Sequence, residues 1–74
     1  RAQPLTDYGL TRREEEIARW LAIGKTNAEM AVILAANVRT VEKHVEIILK
    51  KLGVENRTTA SFLIAASRRN APPA

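Results

Sequence analysis

Apolar side chains recur along this chain every three or four residues, which is the spacing of one face of an α-helix. Four stretches have this pattern, and none alternates apolar and polar residues with the period of two that marks a half-buried strand. In the first stretch Ile17, Trp20 and Leu21 supply the apolar positions. The pattern therefore predicts an all-α protein with four helices.

Capping signals indicate where the first two helices begin. Thr11 is followed three residues later by Glu14, so its hydroxyl can accept a backbone N–H while the glutamate returns the bond. Thr26 and Glu29 repeat this capping box. Gly24 lies between them and suits the left-handed conformation that ends a helix. The predicted inner face of the short second helix comprises Met30, Ala31, Ile33 and Leu34.

The third helix has two contrasting faces. Asn37 is a good N-cap, and the helix is predicted from Val38 to about Leu52, where Gly53 can end it. On a helical wheel of about 100° per residue, one face is aliphatic and the opposite face is mostly cationic. The aliphatic face comprises Val41, Val45, Ile48 and Leu52. The opposite face comprises Arg39, Lys43, Glu46 and Lys50. Ile47 lies off the aliphatic stripe, and the pattern gives it no role.

A fourth helix is expected to be capped by Asn56 and to end near Arg69. Its apolar residues extend most of the way round, which is more than a one-sided surface helix needs. They are Ala60, Phe62, Leu63, Ile64, Ala65 and Ala66.

Only residues 35–37 separate the second helix from the third. A short helix, a tight connection and a longer amphipathic helix make a helix-turn-helix pattern. Small side chains at Ala31 and Ala35 are expected to let the two helices cross closely. The predicted architecture is a compact four-helix bundle with this motif at its centre. An α-helix fits the major groove of DNA, so the cationic face of the third helix is interpreted as a DNA-binding surface. The alternative is that these cations only keep the third helix soluble.

The charge of the chain is unevenly distributed. Its 74 residues make one domain with a net charge of +4. Up to Ala36 five basic side chains balance five acidic ones, whereas from Asn37 onward seven basic side chains stand against three acidic ones. A positive field concentrated in one half suggests a polyanionic partner.

The two ends are expected to lie outside the folded domain. Residues 1–9 have an irregular pattern without an initiator methionine, so they are interpreted as the remnant of a linker from a longer protein. The domain is predicted over residues 10–69, and consecutive prolines indicate a disordered tail at 70–74. No apolar run approaches the roughly 20 residues that cross a bilayer, so no membrane partner is expected.

No catalytic or metal site is predicted. The carboxylates at 14–16 are favoured at a helix start by the helix dipole. His44 is the single histidine and there is no cysteine, so clustered metal ligands are missing. We therefore expect no enzyme activity and no cofactor. Trp20 is expected in the core, and Arg57 is expected to pair with Glu14 or Glu16.

Four motifs occur in order along the chain: residues 10–17 (LTRREEEI), 24–31 (GKTNAEMA), 39–45 (RTVEKHV) and 51–57 (KLGVENR). Together they resemble the LuxR/FixJ-type, or GerE-like, helix-turn-helix domain of bacterial transcriptional regulators, over roughly residues 10–66. The resemblance implies sequence-specific binding of double-stranded DNA by a cytoplasmic C-terminal output domain. The N-terminal part of such a regulator is a phosphoacceptor receiver or a small-molecule sensor.

The resemblance also implies roles for individual residues. Base edges are expected to be read by Glu42, Lys43 and Glu46. Phosphates are expected to be contacted by Lys25, Thr26, Asn27, Arg39, Thr40, Lys50 and Lys51. A homodimer on paired half-sites is expected to form through Phe62, Leu63 and Ala66 of the fourth helix. RNA polymerase is a candidate second partner.

Glu42 departs from the family pattern, because a basic residue is usual there, and Glu46 adds a second carboxylate to the same surface. A carboxylate near DNA is repelled by phosphates. It helps only by accepting a hydrogen bond from cytosine N4 or by orienting a neighbouring cation. Either the DNA site contains cytosine or affinity is weak, and the sequence leaves both open. Ala36 is smaller than the usual aliphatic residue, and Glu55 stands where serine is frequent.

Two other functions fit parts of the pattern. A promoter-binding region of a sigma factor has a similar helix-turn-helix, although the compact ending at 51–54 and the short fourth helix argue against it. A helical protein-interaction module that has lost DNA binding is favoured by Glu42 and Glu46.

Overall fold

The computed structural model describes residues 5–70, and within that range it consists of helices and their connections. The elements are a 3-10 helix, Leu5–Tyr8, and four α-helices: α1, Arg12–Ala22; α2, Asn27–Ile33; α3, Val38–Leu52; and α4, Arg57–Asn70. This confirms the all-α class and the four-helix architecture. Helix α1 packs against α3 and α4, while α2 packs against α3. No helix in residues 5–70 has the length and apolarity that a membrane crossing requires.

Local hydrogen bonds begin the helices where the sequence predicts. The Glu14 N–H donates to Thr11 Oγ1 at 3.1 Å, and the Thr11 N–H donates to Glu14 Oε1 at 2.9 Å. Thr26 and Glu29 form the same reciprocal pair. Asn37 caps α3 by accepting from the Arg39 N–H at 2.8 Å, and Asn56 caps α4. Each cap satisfies backbone donors that a helix start would otherwise leave unpaired.

The core lies between α1, α3 and α4 and is closed at one side by α2. Its largest fully buried side chains are Ile17, Leu21, Met30, Val41, Ile48 and Ile64. The predicted aliphatic face of α3 is confirmed, since all four of its residues are buried. Burying side chains of this size stabilises a fold by about 1.5–3 kcal/mol each. Trp20 was expected in the core but lies at its edge, half-buried and packed against the core residues.

Residues 1–9 were expected to be a linker remnant outside the domain, and for residues 5–9, which the structure describes, this expectation is wrong. Leu5 is buried in the core, and the 3-10 helix that carries it packs against α4. The folded unit therefore includes residues before Leu10, the predicted start of the domain. At the other end α4 continues to Asn70, one residue into the predicted tail, and residues 71–74 lie outside the described range.

The predicted inner face of α2 is wrong for one residue. Met30 and Ala31 are buried and Leu34 packs at the edge of the core, but Ile33 is 44% exposed. At about 100° per residue, Ile33 lies roughly 100° from the middle of the arc that Met30, Ala31 and Leu34 form, so its side chain falls at the edge of the buried face.

The expected packing role of Ala35 is also wrong. Ala35 is exposed and has a φ of +52°. Its N–H donates to Val32 O, and the Ala36 N–H donates to Ala31 O at 2.8 Å. This is the Schellman arrangement that ends helices, with alanine in the left-handed position that glycine usually occupies. Ala35 therefore turns the chain from α2 into α3, and Ala31 supplies the small buried side chain between the helices.

Candidate nucleic-acid interface

The residues predicted to read bases lie together on the outer face of α3, the side opposite its buried stripe. Glu42, Lys43 and Glu46 are exposed and line one shallow concavity with Arg39 and Thr40. Behind them Val41 and Ile48 are completely buried, while Val45 and Leu52 are nearly so. The aliphatic stripe thus holds the rod in place while its polar side chains point outward.

Two of the cationic side chains on this face have no partner within the described residues. The side chains of Arg39 and Lys43 make no ion pair or hydrogen bond within the described part of the chain, and neither does Glu42. By contrast, Lys50 Nζ lies 3.9 Å from Glu46 Oε1, with both side chains more than 60% exposed. An exposed pair of this type contributes little stability. It compensates the charge of Glu46 locally, whereas the carboxylate of Glu42 is uncompensated.

Lys51, predicted to contact a phosphate, is held inside the domain. Its Nζ donates to Glu14 Oε1 at 2.7 Å and to the Gly9 carbonyl at 3.0 Å. Glu14 is 5% exposed, so a buried carboxylate is paired with the end of α3. The hydrogen bond from Lys51 lowers the pKa of the Glu14 carboxyl below its usual value, and the Thr11 N–H acts in the same direction against the opposing effect of burial. The same carboxylate therefore caps α1 and fixes α3.

The start of α2 is oriented by Arg57. Its Nη1 donates to Asn27 Oδ1 at 2.6 Å, and its Nη2 donates to the Lys25 carbonyl at 3.0 Å. The predicted pairing of Arg57 with Glu14 or Glu16 is wrong, because Glu14 is taken by Lys51. A guanidinium can only donate, so the Asn27 amide must turn its oxygen inward and its NH₂ group away from Arg57.

Thr26, the cap of α2, uses its hydroxyl within the helix. The hydroxyl accepts from the Glu29 N–H, and the Thr26 N–H donates to the Glu29 carboxylate at 2.9 Å. That backbone hydrogen bond lowers the pKa of the Glu29 carboxyl. The Thr26 hydroxyl acts in the same direction on this pKa, so both the backbone and the side chain of Thr26 are engaged with Glu29, and a phosphate contact by Thr26 stays a prediction.

His44 lies between the buried and outer faces of α3. Its side chain lines the concavity, but Nδ1 is buried without a hydrogen-bond partner in the described residues. Within residues 5–70, no three histidine, cysteine or carboxylate side chains are arranged so that they could hold a metal ion.

The predicted dimerisation residues occupy different environments on α4. Phe62 is 73% exposed, whereas Leu63 and Ala66 are half-buried. Phe62 lies beside Ile23, which is 57% exposed at the end of α1, in a groove between the two helices. The sequence pattern does not single out Ile23, since one apolar residue before a helix-ending glycine carries no periodicity. Only the packing of α1 against α4 brings it to Phe62.

Comparison with known proteins gives one family. The family model described as "Bacterial regulatory proteins, luxR family" matches residues 8–64. Regulatory protein SdiA of Escherichia coli is 39% identical over 61 residues, covering 82% of this chain and 25% of that protein. Transcriptional activator protein AnoR of Acinetobacter nosocomialis is 46% identical over 53 residues, covering 72% and 22%. The quorum sensing-dependent transcriptional regulator RpaR of Rhodopseudomonas palustris is 45% identical over 60 residues, covering 81% and 25%. The chain thus spans about a quarter of the length of these curated relatives.

Proposed function

The chain belongs to the luxR family of bacterial regulatory proteins, and from this premise we propose that it binds specific sites in duplex DNA as the C-terminal output domain of a transcriptional regulator. The observation that carries the proposal is the outer face of α3, with its uncommitted Arg39 and Lys43 in front of a fully buried stripe. A rod of this diameter enters the major groove, where bases differ in their donors and acceptors.

Affinity comes mainly from contacts with phosphates. Arg39, Thr40 and Lys50 lie on α3, and Asn27 directs its NH₂ group away from Arg57 at the start of α2. Cations that neutralise phosphates release counterions, so binding weakens steeply as salt rises. These contacts hold α3 in register without distinguishing one sequence from another.

Sequence is read by the residues between these anchors. Lys43 donates to guanine O6 or N7. Glu42 has no compensating partner and accepts from cytosine N4, whose amino group offsets the repulsion between the carboxylate and the phosphates. Glu46 lies near Lys50 and orients that ammonium group. The proposed DNA site therefore contains both guanine and cytosine under α3.

The regulator binds paired half-sites as a homodimer through α4. The exposed Phe62 beside Ile23 supports this, because an apolar surface of this kind is favourable to bury against a second copy. Leu63 and Ala66, the other two predicted dimerisation residues, are half-buried on the same helix and do not line this groove. A two-fold axis between the copies requires a palindromic DNA site. The regulator acts on transcription in the bacterial cytoplasm. Its second proposed partner, after DNA, is RNA polymerase.

Selection from a pool of random duplexes at two salt concentrations tests the proposal. We expect a palindromic sequence to be enriched and its affinity to fall steeply with salt. Lys43→Ala should weaken binding to the enriched duplex by about 1–3 kcal/mol and have much less effect on random duplex. Arg39→Ala is the matched variant, and it should weaken both duplexes alike and lower the salt slope by about one.

Two results would count against this function. The first is no binding to any duplex even at low salt, which would favour a protein-interaction module. The second is an identical, sequence-independent loss for Lys43→Ala and Arg39→Ala, which would contradict the assignment of one as reader and the other as anchor.

A further inference from the structure

Ile47 is an apolar side chain on α3 that does not belong to the core. The buried stripe of α3 consists of four other residues, and Leu49 packs against it from the side. Ile47 is half-buried but is not part of that packing. It lines the concavity on the outer face together with Lys43 and Thr40. Packing of the core therefore does not account for an isoleucine at this position.

The position of Ile47 places it in line with the cations. It lies four residues after Lys43, which itself lies four residues after Arg39, so the three side chains follow one another along the same side of the helix. A surface with cations at this spacing faces the polyanion when the domain binds. Ile47 then enters the major groove one turn beyond Lys43, about 5.4 Å along the helix axis.

The major groove offers one apolar group for such a side chain to contact, the C5 methyl of thymine. Resting on the DNA-binding function proposed above, we infer that Ile47 packs against a thymine methyl and is a specificity-determining residue of this domain. Base pairs rise by about 3.4 Å, so the thymine should lie one or two base pairs from the guanine contacted by Lys43. Each half-site should then combine guanine, cytosine and a nearby thymine.

Replacing thymine with deoxyuridine tests the contact, because it removes the methyl group and leaves every hydrogen-bonding group in place. The probe is the duplex enriched by selection, with each thymine replaced in turn, and the protein is the 74-residue chain. Burial of one methyl group is worth roughly a fourfold change in affinity. We expect a loss of about that size at one thymine of each half-site for the unsubstituted chain, and no loss at that position for Ile47→Ala.

Ile33→Ala is the matched control, since Ile33 is a partly exposed isoleucine at the end of α2 and outside the outer face of α3. It should keep the full sensitivity to loss of the methyl. Alanine is the best helix former, so Ile47→Ala should retain the helical circular dichroism of the parent chain, and the same spectrum verifies folding of each variant.

The outcomes separate this inference from the function on which it rests. Specific, salt-dependent binding with no deoxyuridine effect at any thymine would overturn the inference and leave DNA binding intact. The same deoxyuridine effect for Ile47→Ala and the parent chain would also overturn it. Failure to enrich any duplex would overturn the proposed function itself, and the contact with it.

Discussion

Lys50 and Lys51 are neighbours in sequence, yet their ammonium groups meet different environments. The Lys50 ammonium lies 3.9 Å from a carboxylate in an exposed pair, so it is easily redirected to a phosphate. The Lys51 ammonium lies 2.7 Å from the buried carboxylate of Glu14 and also holds the Gly9 carbonyl. Phosphate contact by Lys51 stays a prediction, and it would have to compete with that pair. Of these two adjacent lysines, Lys50 has an ammonium group that is accessible to a ligand, whereas the ammonium group of Lys51 is used to hold α3 against α1.

Removal of each ammonium group should separate these roles. Lys51→Met leaves the Glu14 carboxylate buried without its main donor and should lower the free energy of unfolding by about 1 kcal/mol, a value reduced because the lysine is partly exposed. Lys50→Met is the matched control and should change stability little. Urea denaturation at neutral pH measures both variants, and equal losses would contradict the distinction.

The same pair gives a pH dependence with a defined sign. The pKa of Glu14 is lowered in the folded chain, chiefly by the hydrogen bond from Lys51, so its contribution to stability is present above the ordinary value of 4.5. The contribution is lost as pH falls below 4.5 through the lower folded value. The stability difference between the parent chain and Lys51→Met should therefore be constant near neutrality and shrink in acid. Urea denaturation over about pH 3–7 measures this stability difference, and a difference that stays constant over that range would contradict the role of Glu14.

At the scale of elements, the connection between α2 and α3 determines how α3 is presented. Ala35 carries the left-handed turn with a φ of +52°, a conformation that costs an L-residue roughly 1–2 kcal/mol. The two Schellman hydrogen bonds and the Asn37 cap hold it there. This connection fixes the direction in which α3 leaves α2, and with it the outward orientation of Arg39 and Lys43.

Glycine should therefore be tolerated better at position 35 than within α2. Ala35→Gly relieves the left-handed conformation and offsets the larger entropy of the unfolded chain, so we expect it to be neutral or to stabilise by up to about 1 kcal/mol. Ala28 is exposed in the first turn of α2, where no left-handed conformation is required, and Ala28→Gly should destabilise by up to about 1 kcal/mol. Thermal unfolding followed by circular dichroism compares them, and a larger loss at position 35 than at 28 would refute the account of this turn.

At the scale of the whole molecule, two surfaces are built from different elements. The proposed DNA face uses α3 and the start of α2, while the groove that contains Phe62 and Ile23 lies between α4 and the end of α1. Because the two surfaces share no residue, a second copy of the domain can cover the groove without covering Arg39 or Lys43. The proposed dimerisation and the proposed DNA binding are therefore sterically compatible.

Phe62→Glu should separate these two activities. A charge on the exposed ring position opposes burial between copies, so we expect weaker binding to a palindromic duplex and unchanged binding to a single half-site. Folding should be unaffected, because Phe62 is 73% exposed. Val32→Glu, at a valine that is 82% exposed on α2, is the control. Gel shifts with one and two half-sites measure the effect; an equal loss on both duplexes would argue against an α4 dimer.

Local features were largely readable from the sequence. The caps at Thr11, Thr26 and Asn37 predicted where α1 to α3 begin, and apolar spacing predicted the buried face of α3. These signals succeed because a cap acts on N–H groups within three residues, and a helical face repeats every three or four. Both lie within the reach of a short segment, so no knowledge of the rest of the chain is needed.

The side-chain pairings that the sequence did not predict correctly depend on contacts between distant parts of the chain. Lys51 and Glu14 are 37 residues apart, and Arg57 and Asn27 are 30 apart. Which cation meets which carboxylate or amide follows from how α1, α3 and α4 pack, because any of several basic residues has the right charge. The burial of Leu5 has the same origin, because it depends on the packing of the 3-10 helix against α4. The sequence by itself determined the helices and the charged face of α3. Tertiary packing decided which charges that face keeps free, since buried partners are assigned only when the helices meet.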